Sequence, residues 1–361
     1  MSRTVMIMAG GTGGHVFPAL AIAGELRASR DIVWLGTERG IEARLVPAAG
    51  YPVEWIEVEG LRGKGLGRWL AAPLRLARAV AQARRALRRR RPHVVLGCGG
   101  FASGPGGIAA RLTGVPLVIH EQNAVAGLTN RCLARFATRV AEGFPGSFPP
   151  SRGALFVGNP VRPEIAALPA PRKRFEARSG PMQLFVFGGS QGASALNRLV
   201  PAALALLPEA RRPRVLHQTG AKELESTEAA YRAAGIPAEV RAFVDDMTSA
   251  YAEADLVVSR SGASTVAELA AAGVGSILVP FPAAVDDHQT RNAEWLGRVG
   301  AAQVVSETGL SAPELANRIA TLFGNGRARL LAMAEAARAL ARPDAAQRVA
   351  EMCLAAEGQR A

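Results

Sequence analysis

The chain has 361 residues, 49% of them hydrophobic and 20% charged, and carries a formal net charge of +13. That length is too great for one ordinary core and suits two domains of about 150 to 200 residues, and the composition excludes an intrinsically disordered chain. No window offers the roughly 20 uninterrupted apolar residues of a membrane span, and Met1 to Thr4 lead straight into a strand-like run with no signal-peptide h-region, so a cytoplasmic location is expected.

In chain order, a strand over 4–9 runs into the turn Gly10-Gly11-Thr12-Gly13-Gly14-His15, and a helix is expected over 17–29, followed by a strand over 32–36. The stretch from Gly60 to His120 then holds twelve basic residues and no acidic one, although residues 161–361 are almost neutral. Within it, Trp69, Leu70, Leu74 and Leu76 are interleaved with Arg68 and Arg75, and Leu76, Val80, Ala83 and Leu87 recur at helical spacing in a helix over 74–90. A strand over 94–98 enters a second glycine-rich turn, 97–107, and further strands are expected over 116–120, 138–142 and 154–157. The segment 158–164, with two prolines, is the natural join between halves.

The second half repeats the scheme. A strand over 183–188 enters a third glycine turn, Gly188-Gly189-Ser190-Gln191-Gly192, and a helix over 193–206 follows. Strands are expected over 214–218, 239–243, 255–259 and 276–280, with helices over 263–272 and 289–298. The domains implied are 1–160 and 161–342, with a final helix in 343–361 whose amphipathic pattern fits packing on either domain, a return to the N-terminal one included. Cys98, Cys132 and Cys353 are far apart and lack CxxC spacing, so they read as reduced, mostly buried thiols.

Short apolar runs alternating with amphipathic stretches give parallel α/β sheets. Glycines after a strand let the backbone turn through positive φ and present successive N–H groups at a helix N-terminus, a combination that attracts anions. Three such turns at the carboxyl ends of parallel strands point to ligand binding at switch points. The dinucleotide fingerprint fails, since the third glycine counted from Gly11 falls on Val16, and no P-loop motif occurs.

Taken together, GGTGGHVFPA (10–19), GLRGKG (60–65), GCGGFASGPGG (97–107), HEQNAVAGLTN (120–130), GNPVR (158–162), GGSQGA (188–193), RSGASTVAEL (260–269) and DDHQTRNA (286–293) resemble the motif series of the MurG family. These are bacterial N-acetylglucosaminyltransferases that convert lipid I to lipid II. The resemblance covers nearly the whole chain. It implies the GT-B fold, an α/β architecture of two Rossmann-like, doubly wound parallel-sheet domains facing across a cleft, with UDP-GlcNAc held mainly by the C-terminal one.

The resemblance also implies roles. UDP-GlcNAc binding falls to Thr12, Gly13, Gly14, Asn123, Arg162, Ser190, Val244, Ala263, Ser264, Thr265, Val266, Ala267, Glu268 and Gln289. Within that set, Glu268 is the ribose-binding acid, Val244 reads the uracil edge through its backbone, and Gln289 meets the sugar hydroxyls, with His288 as the neighbour that could share the task. Gly99, Gly100 and Asn130 are acceptor-binding. Glycines 10 to 14 let the backbone approach the acceptor's diphosphate, and His15 stands beside it as the candidate base, because imidazole titrates near neutrality. Glu121 is the competing candidate. The Asp pairs 245–246 and 286–287 lack D-x-D spacing, so no obligatory metal and no cofactor are expected.

Trp69, Leu70, Leu74 and Arg75 suggest a peripheral association with the anionic cytoplasmic face of the cell membrane, which suits a polyprenyl-linked substrate. Nucleic acid is not an expected partner, as the basic stretch has no aromatic platform or helix-turn-helix context. A UDP-GlcNAc 2-epimerase and a non-catalytic membrane-docking subunit are the alternative readings.

Overall fold

The computed structural model describes residues 3–58, 72–189, 192–284, 287–324 and 326–359. The chain divides into two compact units, Met1–Pro160 with Asp344–Ala361, and Val161–Pro343.

The first unit is built on a parallel sheet of seven strands: β1 (Thr4–Met8), β2 (Asp31–Gly36), β3 (Val53–Trp55), β4 (Val94–Gly97), β5 (Leu117–Glu121), β6 (Arg139–Glu142) and β7 (Leu155–Phe156). Their spatial order is β3-β2-β1-β4-β5-β6-β7. Helices cover both faces, so the central strands are apolar throughout. Successive residues of β1 divide between two cores: Val5 and Ile7 pack with Ile22, Trp34 and Val349, and Met6 and Met8 with Leu35, Ala83 and Leu87.

The second unit has six parallel strands: β8 (Gln183–Phe187), β9 (Arg214–Gln218), β10 (Ala238–Arg241), β11 (Leu256–Ser259), β12 (Gly275–Leu278) and β13 (Ala302–Val304), in the order β10-β9-β8-β11-β12-β13. Each sheet therefore reverses its winding once, between β1 and β4 and between β8 and β11. Open α/β sheets bind ligands outside the carboxyl ends of the strands at that crevice. The final helix, Ala345–Ala356, belongs to the first unit: Val349, Met352, Cys353 and Ala356 enter its core, and Glu357 pairs with Arg3 at 2.9 Å and with Arg30 at 2.6 Å.

Several boundaries differ from those expected. The first helix spans Gly13–Leu26, not 17–29, because the glycine turn itself forms its opening and the helix accommodates Pro18. The edge strands β3 and β13, three residues each, are too short for periodicity to register. In the helix Ala72–Arg90, Ala83 and Leu87 are core residues while Leu74 is 76% and Leu76 46% exposed. Apolar spacing cannot by itself distinguish a face that packs on a sheet from one that meets a lipid surface, and here most of the stripe packs on the sheet. Cys98 and Cys353 are buried and Cys132 is exposed.

Candidate active site

In the first unit, the turns after β1 and β4 meet at the switch point. A Cβ on Gly100 would lie 2.2 Å from the Gly10 carbonyl oxygen, and one on Gly99 would lie 3.1 Å from His15 Nε2; both glycines have positive φ. The Ser103 hydroxyl, bonded at 2.9 Å to the Met8 carbonyl, ties the two turns together. Gly99 and Gly100 are thus required by backbone approach and by the imidazole ring.

His15 is half-buried at the start of the first helix, and its Nδ1 lies 3.2 Å from the Gly10 carbonyl oxygen and 3.4 Å from Thr12 Oγ1. A carbonyl can only accept, so Nδ1 carries the hydrogen and Nε2 is the proton-accepting nitrogen.

Glu121, at the end of β5, is 3% exposed and its carboxylate accepts from four donors. These are Asn123 N (2.9 Å), Asn123 Nδ2 (3.3 Å), Gly127 N (3.1 Å) and Asn130 Nδ2 (2.9 Å). It organises the loop that carries Asn123 and Asn130. Beside it, His120 is fully buried, donating from Nε2 to the Gly158 carbonyl at 2.9 Å and accepting at Nδ1 from Gln122. Burial pushes its pKa down despite that hydrogen bond, so it stays neutral.

In the second unit, the helix Ala263–Ala272 starts directly after β11 and turns its first amides toward the switch point. The buried hydroxyl of Ser264 has no hydrogen-bond partner among the described residues. One turn further, Glu268 accepts from Arg162 Nε at 2.9 Å and Nη2 at 2.8 Å, and from the Tyr251 hydroxyl at 3.2 Å. Burial raises the Glu268 pKa and Arg162 opposes the shift.

Gln218, 3% exposed at the end of β9, donates to the Gly189 carbonyl and accepts from the Val244 amide, each at 2.9 Å. It ties the third glycine turn to the segment expected to read the base, and it commits Val244 N–H while leaving the carbonyl to a ligand. Gln289 Oε1 accepts from Phe281 N at 2.9 Å, so its Nε2 is the group available for donation. Arg260 bonds the carbonyls of Val279 and Pro280, pairs with Glu307 and lies over the Phe281 ring, bracing the ends of β11 and β12.

Residues 5–142 match the N-terminal domain of glycosyltransferase family 28 and residues 183–349 match its C-terminal domain. The chain belongs to glycosyltransferase family 28. A relative from Nitrosococcus oceani is 58% identical over 98% of this chain and 99% of its own length, and one from Alkalilimnicola ehrlichii is 55% identical with the same coverage. Both are named UDP-N-acetylglucosamine–N-acetylmuramyl-(pentapeptide) pyrophosphoryl-undecaprenol N-acetylglucosamine transferase. The crystal structure of Acinetobacter baumannii MurG superposes with a TM-score of 0.87 at 41% identity, covering 98% of this chain and 99% of that one. The calicheamicin glycosyltransferase CalG4, at 18% identity and a TM-score of 0.69, shares the fold. The resemblance to MurG read in the motifs therefore holds over the full length, and the two sheets are those of a GT-B glycosyltransferase.

Of the expected family-28 site residues, Thr12, Gly13, Gly14, Gly99, Gly100, Asn123 and Asn130 lie in the first unit with His15 and Glu121. Arg162, Val244, Gln289 and the run from Ala263 to Glu268 lie in the second. Ser190, Trp69 and Leu70 lie outside the described residues. Sequence reasoning missed Tyr251, Gln218 and Glu42, because a lone Tyr, Gln or Glu at the end of an ordinary element carries no local signature; only the tertiary arrangement brings them to the turns.

Proposed function

We propose that this chain transfers GlcNAc from UDP-GlcNAc to the C4 hydroxyl of MurNAc in undecaprenyl-diphospho-MurNAc-pentapeptide with inversion, giving lipid II and UDP in peptidoglycan synthesis. The observation that carries this reading is His15 at a switch point with Nε2 as its acceptor nitrogen, in a chain that resembles the named transferases from end to end. A proton acceptor at that position is what activation of a sugar hydroxyl requires.

In the second unit, Glu268 accepts hydrogen bonds from the ribose hydroxyls and the Val244 carbonyl accepts from uracil N3–H. Ala263 to Ala267, with the Ser264 and Thr265 hydroxyls and Ser190, meet the diphosphate, and Gln289 Nε2 donates to the GlcNAc hydroxyls. Thr12, Gly13, Gly14 and Asn123 complete the donor set. In the first unit, Gly99, Gly100 and Asn130 contact the acceptor. As the O4–C1 bond forms and the C1–diphosphate oxygen bond breaks, the O4 proton passes to His15 Nε2. Negative charge building on UDP is stabilised by the amides at Ala263 to Thr265. Glu121, with four donors already on it, is the positioning group and His15 the base.

Leu74 and Leu76, exposed beside Arg75, make the helix Ala72–Arg90 a docking element for an anionic membrane surface, each nearby cation contributing about 1 kcal/mol. Trp69 and Leu70 extend that reading. The enzyme is then peripheral on the cytoplasmic face. Labelled UDP-GlcNAc incubated with and without the lipid acceptor tests the reaction. Release of UDP only with acceptor is expected, whereas turnover of UDP-GlcNAc alone would indicate an epimerase and no turnover a docking subunit.

A further inference from the structure

Glu42 is a buried carboxylate that the transfer reaction, as described, does not use. It is 0% exposed and opens the helix Glu42–Ala48 beneath the turn after β1. Its Oε2 accepts from Gly11 N at 2.9 Å, and its Oε1 accepts from Thr37 Oγ1 at 2.7 Å and Thr37 N at 3.2 Å. The chain leaves room for this group by omitting side chains: a Cβ on Gly10 would fall 2.4 Å from Glu42 Oε1, and one on Gly40 would fall on the carboxylate itself. No Lys or Arg among the described residues forms an ion pair with it. A carboxylate buried without a cation is costly to the fold, and its hydrogen bonds offset only part of that cost.

The group it holds is the peptide between Gly10 and Gly11. The N–H of that peptide donates to Glu42, and the carbonyl of the same peptide is the oxygen 3.2 Å from His15 Nδ1. An acceptor with full negative charge on the N–H polarises the amide, making its oxygen a stronger acceptor, since hydrogen bonds in a chain reinforce one another. We propose that Glu42 is a positioning residue for His15, acting through the Gly10–Gly11 peptide to keep the imidazole hydrogen on Nδ1, so that Nε2 carries none and can take the acceptor's proton. This role rests on the reading of His15 as the base. It parallels the function of a carboxylate bonded directly to a catalytic histidine, which fixes the tautomer and steadies the imidazolium, with one peptide unit interposed.

Glutamine at this position keeps the size but replaces one acceptor oxygen with an NH2 group, which must face either Gly11 N–H or the Thr37 donors. Nitrogen-15 and carbon-13 NMR of histidine-labelled protein, with the His15 signals assigned by their loss in His15→Ala, reads the tautomer directly. The wild-type protein is expected to show neutral His15 with hydrogen on Nδ1, and Glu42→Gln a mixture with the Nε2–H form. In turnover, Glu42→Gln should lower kcat about 10- to 100-fold with donor KM within about twofold, the size seen when groups behind a functional histidine are removed. In a His15→Ala background the same change should cost nothing further.

An Nε2–H tautomer in the wild-type protein overturns the proposal, and that measurement needs no variant of Glu42 to fold. An equal kcat loss from Glu42→Gln with and without His15 also overturns it, because Glu42 would then act on the loop alone. Near-normal turnover in His15→Ala rejects His15 as the base, while the tautomer measurement still decides the relay.

Discussion

At the scale of single residues, the role proposed for Glu268 requires a carboxylate that stays ionised in a buried position. Burial favours its protonated form, and Arg162 holds the carboxylate. Arg162→Ala should raise the Glu268 pKa further. UDP affinity should then fall about 10- to 100-fold at neutral pH, the loss expected when a charge-assisted pair is broken. The sign of its pH dependence follows: a protonated carboxyl cannot accept from both ribose hydroxyls, so affinity drops as pH falls through the raised pKa, and in Arg162→Ala the drop begins at higher pH. Calorimetric titration with UDP between pH 5 and 8 checks both. An unchanged affinity would show that Glu268 does not need its partner. Glu268 stands out in the sequence because the RSGAST motif precedes it, and His15 because glycines precede it. Tyr251 does not: it stands 17 residues from Glu268 in sequence, and its hydroxyl reaches the carboxylate only through packing.

At the scale of elements, the glycine turns join strand to helix where side chains do not fit. Gly192 has φ of +77°, and a Cβ there would fall 1.8 Å from the Thr219 carbonyl oxygen. Gly192→Ala should therefore destabilise the second unit by about 1–3 kcal/mol, through backbone strain and forced displacement of the end of β9, and should weaken UDP binding with it. A thermal melt with and without UDP measures both effects. The strands and the turn-to-helix junctions could be read from sequence because buried parallel strands are apolar runs bounded by glycine. Of the apolar stripe read along the helix over 74–90, Ala83 and Leu87 sit in the core, while Leu74 and Leu76 are exposed large apolar residues.

His217 in β9 gives the second unit its own pH dependence. It is 0% exposed, donates from Nε2 to Asn197 Oδ1 at 3.1 Å and accepts at Nδ1 from the Tyr231 hydroxyl at 2.9 Å. Burial lowers its pKa to about 3. The unfolded chain binds the proton first, so the stability it contributes is complete above its ordinary pKa near 6.5 and is lost as pH falls from there toward 3. Between pH 6.5 and 5 that amounts to about 2 kcal/mol. Denaturant unfolding of the second unit at those pH values should show the loss in the wild-type protein and a flatter profile in His217→Gln.

At the scale of the whole molecule, the chain uses one architecture twice and gives each copy a different task. Both switch points carry glycine turns and a helix N-terminus; the first sets His15 beside its turn, and the second sets the buried Glu268, bonded by Arg162 and Tyr251, one turn into its helix. The repeated glycine motif made this duplication visible in the sequence. That the last helix completes the first unit's core could not be read with certainty, because an amphipathic segment fits either sheet until Val349 and Cys353 are seen packed with Val5 and Ile22.

The division of labour is tested most directly by measuring UDP affinity calorimetrically in wild-type, His15→Ala and Glu268→Gln enzyme, alongside turnover with the lipid acceptor. The expected result is wild-type UDP affinity in His15→Ala with kcat reduced about 10²- to 10⁴-fold, the range for loss of a general base, and weakened UDP affinity in Glu268→Gln. Loss of UDP affinity in His15→Ala equal to that in Glu268→Gln, or normal turnover in His15→Ala, would contradict the account.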